Sequence, residues 1–227
     1  MDIARIIEEL RPRVMGWIGA DYGAGWVPVG YPGVYASATT MTFVGVDVTA
    51  VFQVGARVRW RQRETWYYGV VVSAAFGANT TVTLAGNSVL NAPIGAVWVS
   101  YAVQPQGWPG WFDWTPASYT GWSSLPTGVY RFAVVGRCVQ WYISMSAGTS
   151  NATSAQIGLP ITAATVTNQY WGAPNAYALD NGSVLTVASR WSIASAGTVI
   201  DFYKDMASAV WTASGTKRVY AEGWYEI

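Results

Sequence analysis

Hydrophobic and polar positions keep one period up to about residue 18 and another from about residue 34 onward. In DIARIIEELRPRVMGWI, residues 2–18, the side chains Ile3, Ile7, Leu10, Val14 and Trp17 recur at spacings of 4, 3, 4 and 3. That is the apolar seam of a short coiled coil or of a helix docked in a groove. Asp2 can cap the start, and Glu8 and Glu9 face outward with Arg5 and Arg13. Pro12 removes a backbone donor, so it should kink the helix or split it. Isolated helices below about 12 residues are marginal in water, and the segment therefore needs a partner, either its own copies or another protein. Residues 1–33 are expected to form this helix and an anchoring arm.

From residue 34 the pattern turns to short runs of Val, Thr and aromatics punctuated by Gly and Asn. Strands are predicted at 40–44, 56–62, 66–74, 80–84 and 96–101, the makings of a small antiparallel barrel or sandwich over residues 34–103. A connector rich in Trp, Pro and Gly follows at 104–127. Beyond it, strands are predicted at 128–134, 137–145, 153–159, 183–191, 197–203, 208–212 and 217–226, with turns at VVG, ALDNG and ASGTK. Residues 128–227 thus read as a β-sandwich of the jelly-roll kind, and the chain as mainly β with a short N-terminal helix.

Composition sharpens this. Hydrophobic residues make up 52% of the chain and charged residues only 11%, so the surface must be Ser, Thr, Asn and Gly or be covered by partner subunits. A net charge of +1 gives no reason to expect nucleic acid as a partner. No apolar stretch is long enough for membrane insertion, and the acidic N-terminal stretch does not read as a signal peptide, so synthesis and assembly in a cytoplasm are expected. Cys138 is the only cysteine and reads as a small buried apolar residue. The sequons at Asn79, Asn151 and Asn181 read as turn residues.

With no histidine, the commonest general base, the Ser-His and Cys-His nucleophile pairs and imidazole metal sites are all missing. No cofactor loop or metal-ligand spacing appears. A glycosidase built on two of the 12 carboxylates stays open, because such pairs meet in space, but an enzyme is the poorer reading.

Two constellations carry binding chemistry. Arg57, Arg59, Arg61 and Arg63 alternate in ARVRWRQR, which puts the guanidinium groups on one strand face, either an anion stripe or a solvated or interface-pairing face. Trp108, Trp111, Trp114 and Trp122 crowd the connector, and Tyr170 and Trp171 lie further on. Flat rings of this kind form platforms for the apolar faces of sugars. Aromatics at β cores and interfaces are commoner, so the connector tryptophans are expected to be buried packing at a joint between modules or subunits, with Tyr170 and Trp171 as glycan contacts.

Residues 36–101, with SATT, FQVGARVRW, YYGVV and TTVTLAGNSVLN, resemble a small β module of structural proteins of tailed bacteriophages. Residues 128–227, with GVYRFAVVGRCVQWYISM and the closing GTKRVYAEGWYEI, are similar to C-terminal domains of phage fibre proteins. The resemblance implies a homotrimeric fibre, spike or decoration subunit of a virion. Its N-terminus would attach to capsid or tail proteins, and its C-terminal domain would point outward, with host-surface glycan as a further partner. It carries no catalytic residues. The competing reading is a lectin-like carbohydrate-binding protein that uses an aromatic platform.

Overall fold

Period-2 alternation shapes the stretches that the computed structural model describes, residues 25–167, 170–172 and 177–227. The helix expected over residues 2–18, with Ile3, Ile7, Leu10, Val14 and Trp17, lies outside the described residues. The chain is mainly β, built from antiparallel sheets, and divides into two compact units, Met1–Pro109 and Gly110–Ile227.

In the first unit, β1 (Val27–Pro28), β2 (Val34–Ser37), β3 (Thr40–Val44), β4 (Arg57–Gln62), β5 (Thr65–Phe76), β6 (Asn79–Gly86) and β7 (Val97–Ser100) form one sheet in the order β1-β7-β4-β5-β6-β3-β2. Alternate residues Met41, Phe43, Val58, Trp60, Val82, Leu84, Val97 and Val99 point into one core, which Phe52, Val89 and Ile94 complete from the loops. Buried polar groups tie those loops down. The Trp60 indole donates to Gln62 Oε1 at 3.0 Å, and the Gln62 amide donates to the carbonyls of Leu90 and Ala92 at 2.9 and 2.8 Å. Thr80 Oγ1 donates to the Val46 carbonyl at 2.6 Å and accepts from Val48 N at 3.0 Å. With both ends of each group satisfied, burial costs little.

The second unit has two sheets. Its strands are β8 (Phe112–Asp113), β9 (Tyr119–Thr120), β10 (Gly128–Val135), β11 (Cys138–Met145), β12 (Gly148–Thr149), β13 (Gln156–Gly158), β14 (Tyr170–Gly172), β15 (Ala178–Asp180), β16 (Ser183–Val184), β17 (Arg190–Ile193), β18 (Val199–Tyr203) and β19 (Thr216–Glu226). One sheet runs β16-β15-β19-β11-β10-β8, with β12 also on β19, and the other runs β14-β17-β18-β13-β9. They meet through aromatic rings. Trp141 of β11 stands edge-on to Trp191 of β17 at 5.1 Å and to Phe202 of β18 at 6.3 Å.

The expected strand at 183–191 is two pieces. Asn181 and Gly182, at φ 48° and 78°, turn the chain straight back as β16 on β15, and only at Arg190 does it join the other sheet as β17. No strand forms at 208–212. There Ser208 has φ 70°, and Trp211 is anchored by its indole on the Phe202 carbonyl at 2.7 Å. The residues before 128 are not idle connector, since Phe112–Asp113 and Tyr119–Thr120 each add a strand to a sheet.

Gly223 shows how tightly the two sheets fit. It is paired opposite Trp141 in β11, and a Cβ there would stand 2.4 Å from Trp191 and 2.8 Å from Trp141. Both rings are almost wholly buried and have no room to retreat. Gly223→Ala is therefore expected to destabilise the second unit by about 1–3 kcal/mol, the usual cost of overpacking a core, read as a lowered melting transition.

Candidate functional site

The arginines of β4 do not form one stripe. Arg57 and Arg59 are buried, at 4% and 9% exposure, while Arg61 and Arg63 are exposed. The Arg59 guanidinium lies 4.9 Å from the ring centre of Trp26, 4.6 Å from Trp66 and 5.0 Å from Trp98. Arg57 donates to the Gly55 carbonyl at 2.9 Å and lies 6.0 Å from Trp108. Alternation ends at Gln62, because Arg63 and Glu64 form the β4–β5 turn at φ 48° and 64°, with an ion pair between Arg61 and Glu64. The expectation of four guanidinium groups sharing one solvated, interface-pairing or anion-binding face is corrected: Arg59 is enclosed by rings, Arg57 is buried on a backbone carbonyl beside Trp108, Arg61 lies exposed near the end of β4 and Arg63 makes the turn.

A second enclosed cation lies in the other unit. Lys217 of β19 is fully buried, its ammonium donating to the carbonyls of Ala152 and Ser154 at 2.7 and 2.9 Å and standing 5.7 Å from the rings of Trp122 and Trp211. Burial pulls its pKa down to about 8, against an upward pull from Asp180. Burial also pushes Asp180 upward, but hydrogen bonds from Thr212 and Lys204 outweigh it and hold that carboxyl below its usual value. Arg218 is clasped in the same way, 4.8 Å from Tyr177 and 5.2 Å from Tyr220, and Arg190 lies 4.3 Å from Tyr203.

The connector tryptophans do not gather at one place. Trp108 packs on Trp26 and Tyr68 in the first unit, at 6.2 and 6.1 Å. Trp114 stands edge-on to Tyr130 at 6.0 Å in the second, and the Trp122 indole donates to the Lys217 carbonyl at 3.2 Å. Those three are buried within the chain, whereas Trp111, expected to pack at a joint between modules or subunits, is 48% exposed in the single chain. Tyr170 is half-buried, 6.3 Å from Trp224 and 6.4 Å from Tyr225, and the side chain of Trp171 lies outside what is described. Cys138 is half-buried opposite Glu226, and burial together with that carboxylate holds its thiol above the usual value, against any role as a reactive thiolate.

What does gather is a row on the outer face of the second unit's larger sheet. Phe112, Phe132, Trp141 and Tyr225 turn inward, so their neighbours turn outward. Register then aligns Asp113 of β8, Arg131 of β10, Tyr142 of β11 and Glu222 of β19 directly across four strands. Arg131 Nε donates to Asp113 Oδ1 at 2.9 Å. Trp111, Arg131, Tyr142 and Glu222 line a cavity of about 220 Å³. A second cavity, of about 600 Å³ and lined by Asp113, Trp114, Leu125, Pro126 and Tyr130 among others, shares Arg131 with it. Trp224, 55% exposed, stands two residues further along the same face of β19. Exposed rings beside a donor and an acceptor suit a ligand with an apolar face and a hydroxylated rim. Sequence reading singled out Trp111 but missed Asp113, Arg131, Tyr142 and Glu222. The alternation of β10, β11 and β19 marks the last three as outward, but only long-range register brings them into line. Among the described residues, no group of three or more His, Cys, Asp or Glu is placed to hold a metal.

Two outcomes follow from the enclosed cations. Arg59→Ala should cost about 2 kcal/mol or more in chemical denaturation, because three ring contacts and their packing go, while exposed Arg61→Ala should stay within about 0.5 kcal/mol. Between pH 8 and the ordinary lysine value, the unfolded chain holds a proton that folded Lys217 has lost, so stability rises with pH across that window. Tyr130, pushed by burial to about 12, acts with the opposite sign, its contribution being lost above pH 10. Melting curves from pH 7 to 10 should show the rising contribution in the parent chain and its absence in Lys217→Met.

No family model matches the chain, and no curated protein or solved structure matches it either.

Proposed function

We propose that the chain is a non-catalytic structural protein of a tailed-bacteriophage particle, a trimeric fibre, spike or decoration subunit. It attaches through its N-terminus to capsid or tail proteins and adheres to the host surface through its second unit. The observation that carries the adhesive part is the Trp111–Arg131–Tyr142–Glu222 cavity, where half-exposed rings flank charged groups on a rigid sheet. The particle assignment rests on the likeness of residues 36–101 and 128–227 to phage modules. We read the first unit as a small barrel- or sandwich-like module and the two facing sheets of the second as a jelly-roll-like β-sandwich, a reading that the inward Trp141, Trp191 and Phe202 support.

The arrangement of carboxylates favours adhesion over cleavage. Asp113 is engaged by Arg131, and two strands stand between it and Glu222. At about 4.8 Å per strand their backbones are about 14 Å apart, and the ion pair holds Asp113 on Arg131 rather than leaving it free as a nucleophile or base. The same cavity favours the second reading, a carbohydrate-binding protein with no particle attached.

Oligomeric state and location separate the two. Native mass spectrometry of the purified chain should give a trimer at micromolar concentration, and antibody against it should label phage particles. Labelled chain should bind host cells saturably. A well-folded monomer absent from particles leaves the lectin reading alone, and failure to bind cells removes the adhesive role.

A further inference from the structure

We infer that the Arg131 row is a site for a single neutral pyranose unit within a glycan, and that it turns acidic sugars away; this rests on the adhesive reading above. Three properties of the row point the same way. A pyranose has a C–H face that packs on an aromatic ring and a rim of hydroxyls that both donate and accept. Trp111 and Tyr142, 48% and 38% exposed, supply the rings. Register places Arg131 between them, where it offers donors, and Glu222 on the far side of Tyr142, where it offers acceptors to the hydroxyl rim. Tyr and Trp also present large rigid surfaces at small entropy cost, which suits a weak, repeated contact.

Size limits the occupant. About 220 Å³ is less than the roughly 300–1,000 Å³ of sites for drug-sized ligands, so the cavity takes one ring. The cavity of about 600 Å³ that also borders Arg131, walled by Trp114, Leu125, Pro126 and Tyr130, leaves the neighbouring unit of a chain somewhere to go. The occupant is therefore an internal or terminal unit of an oligosaccharide.

Charge decides the class. The one guanidinium in the row is engaged by Asp113 at 2.9 Å, and Glu222 lies on the cavity wall. A sialic acid, uronic acid or phosphorylated sugar would meet a cation already paired and a second carboxylate, an arrangement that repels it. A neutral hexose meets the same groups as hydrogen-bond partners. Other candidates carry less. Lys217 has no solvent access, and the guanidinium of Arg59 is covered by rings. The cavity of about 440 Å³ near Tyr31 and Trp98 has no charged group in its wall to orient a ligand.

The test is saturation-transfer NMR and calorimetric titration of the full chain. The neutral probes are methyl glycosides of glucose, galactose, mannose and N-acetylglucosamine, and the acidic ones are N-acetylneuraminic acid and glucuronic acid. We expect saturable binding of at least one neutral glycoside and none of the acids. Trp111→Ala and Glu222→Gln, both at exposed positions, should each weaken it about tenfold or more without moving the melting transition. Binding of acids alone overturns the charge assignment and leaves adhesion standing. Neutral binding that survives both substitutions overturns the site. No sugar binding by a chain that still binds host cells overturns the inference alone, and loss of both overturns the adhesive reading with it.

Discussion

The structure depends on how a chain poor in carboxylates holds the cations that its fold covers. Lys217 is the clearest case. Its position on β19 falls in phase with Val219, Ala221 and Tyr225, which face the interior, so its ammonium must be desolvated wherever it points. Two backbone carbonyls and two indole rings replace its water. Arg59, on the face of β4 away from Trp60, is held by three rings, and half-buried Arg218, on the face of β19 away from Lys217, lies beside two. Rings suit this role because the quadrupole attracts a cation while the ring body still counts as apolar packing. A carboxylate partner would have needed solvation of its own.

This choice propagates to the surface. Large rings inside require small residues opposite them, and Gly223 and Gly172 lie under Trp191 for that reason. Once Trp141 and Trp191 are seated, the parity of β10, β11 and β19 cannot slip by a residue without exposing every inward ring. The same parity sets Arg131, Tyr142 and Glu222 outward and in line. The core and the candidate site are thus two faces of one register, and the rigidity of the first positions the second.

Much of this was legible in the sequence, in proportion to how local its causes are. The strands at 40–44, 128–134 and 217–226 follow from alternation within a few residues, and the turn at Asn181-Gly182 follows from the positive φ that this pair tolerates. Arg63-Glu64 adopts the same kind of turn with residues that do not advertise it, so Arg63 read as continuing the alternation of Arg57, Arg59 and Arg61 although the strand ends at Gln62 as expected. The cover on the other face of β4 comes from its neighbours β5 and β7, which bring Trp66 and Trp98 over Arg59. Alternation says that Arg59 and Trp60 face opposite ways, but not that both sides are covered. The row on the outer sheet face was hidden for a related reason: Arg131 and Tyr142 share a hairpin, but Asp113 and Glu222 join them only through pairing with further strands.

Arg59 and Arg131 show that residue type alone does not separate structure from recognition. Both sit mid-strand on a sheet face. Arg59 is closed in by the rings of Trp26, Trp66 and Trp98. Arg131 has a two-residue edge strand beside it, an exposed carboxylate within hydrogen-bond reach and half of its side chain in solvent. A guanidinium already paired at the surface no longer draws anions but still has N–H groups to offer, and the exposed rings on either side accept an apolar face. A surface with so few charges elsewhere has little with which to attract an ionic partner, which leaves hydrogen bonding and stacking as the means of recognition. That combination selects for a polyhydroxylated, uncharged ligand.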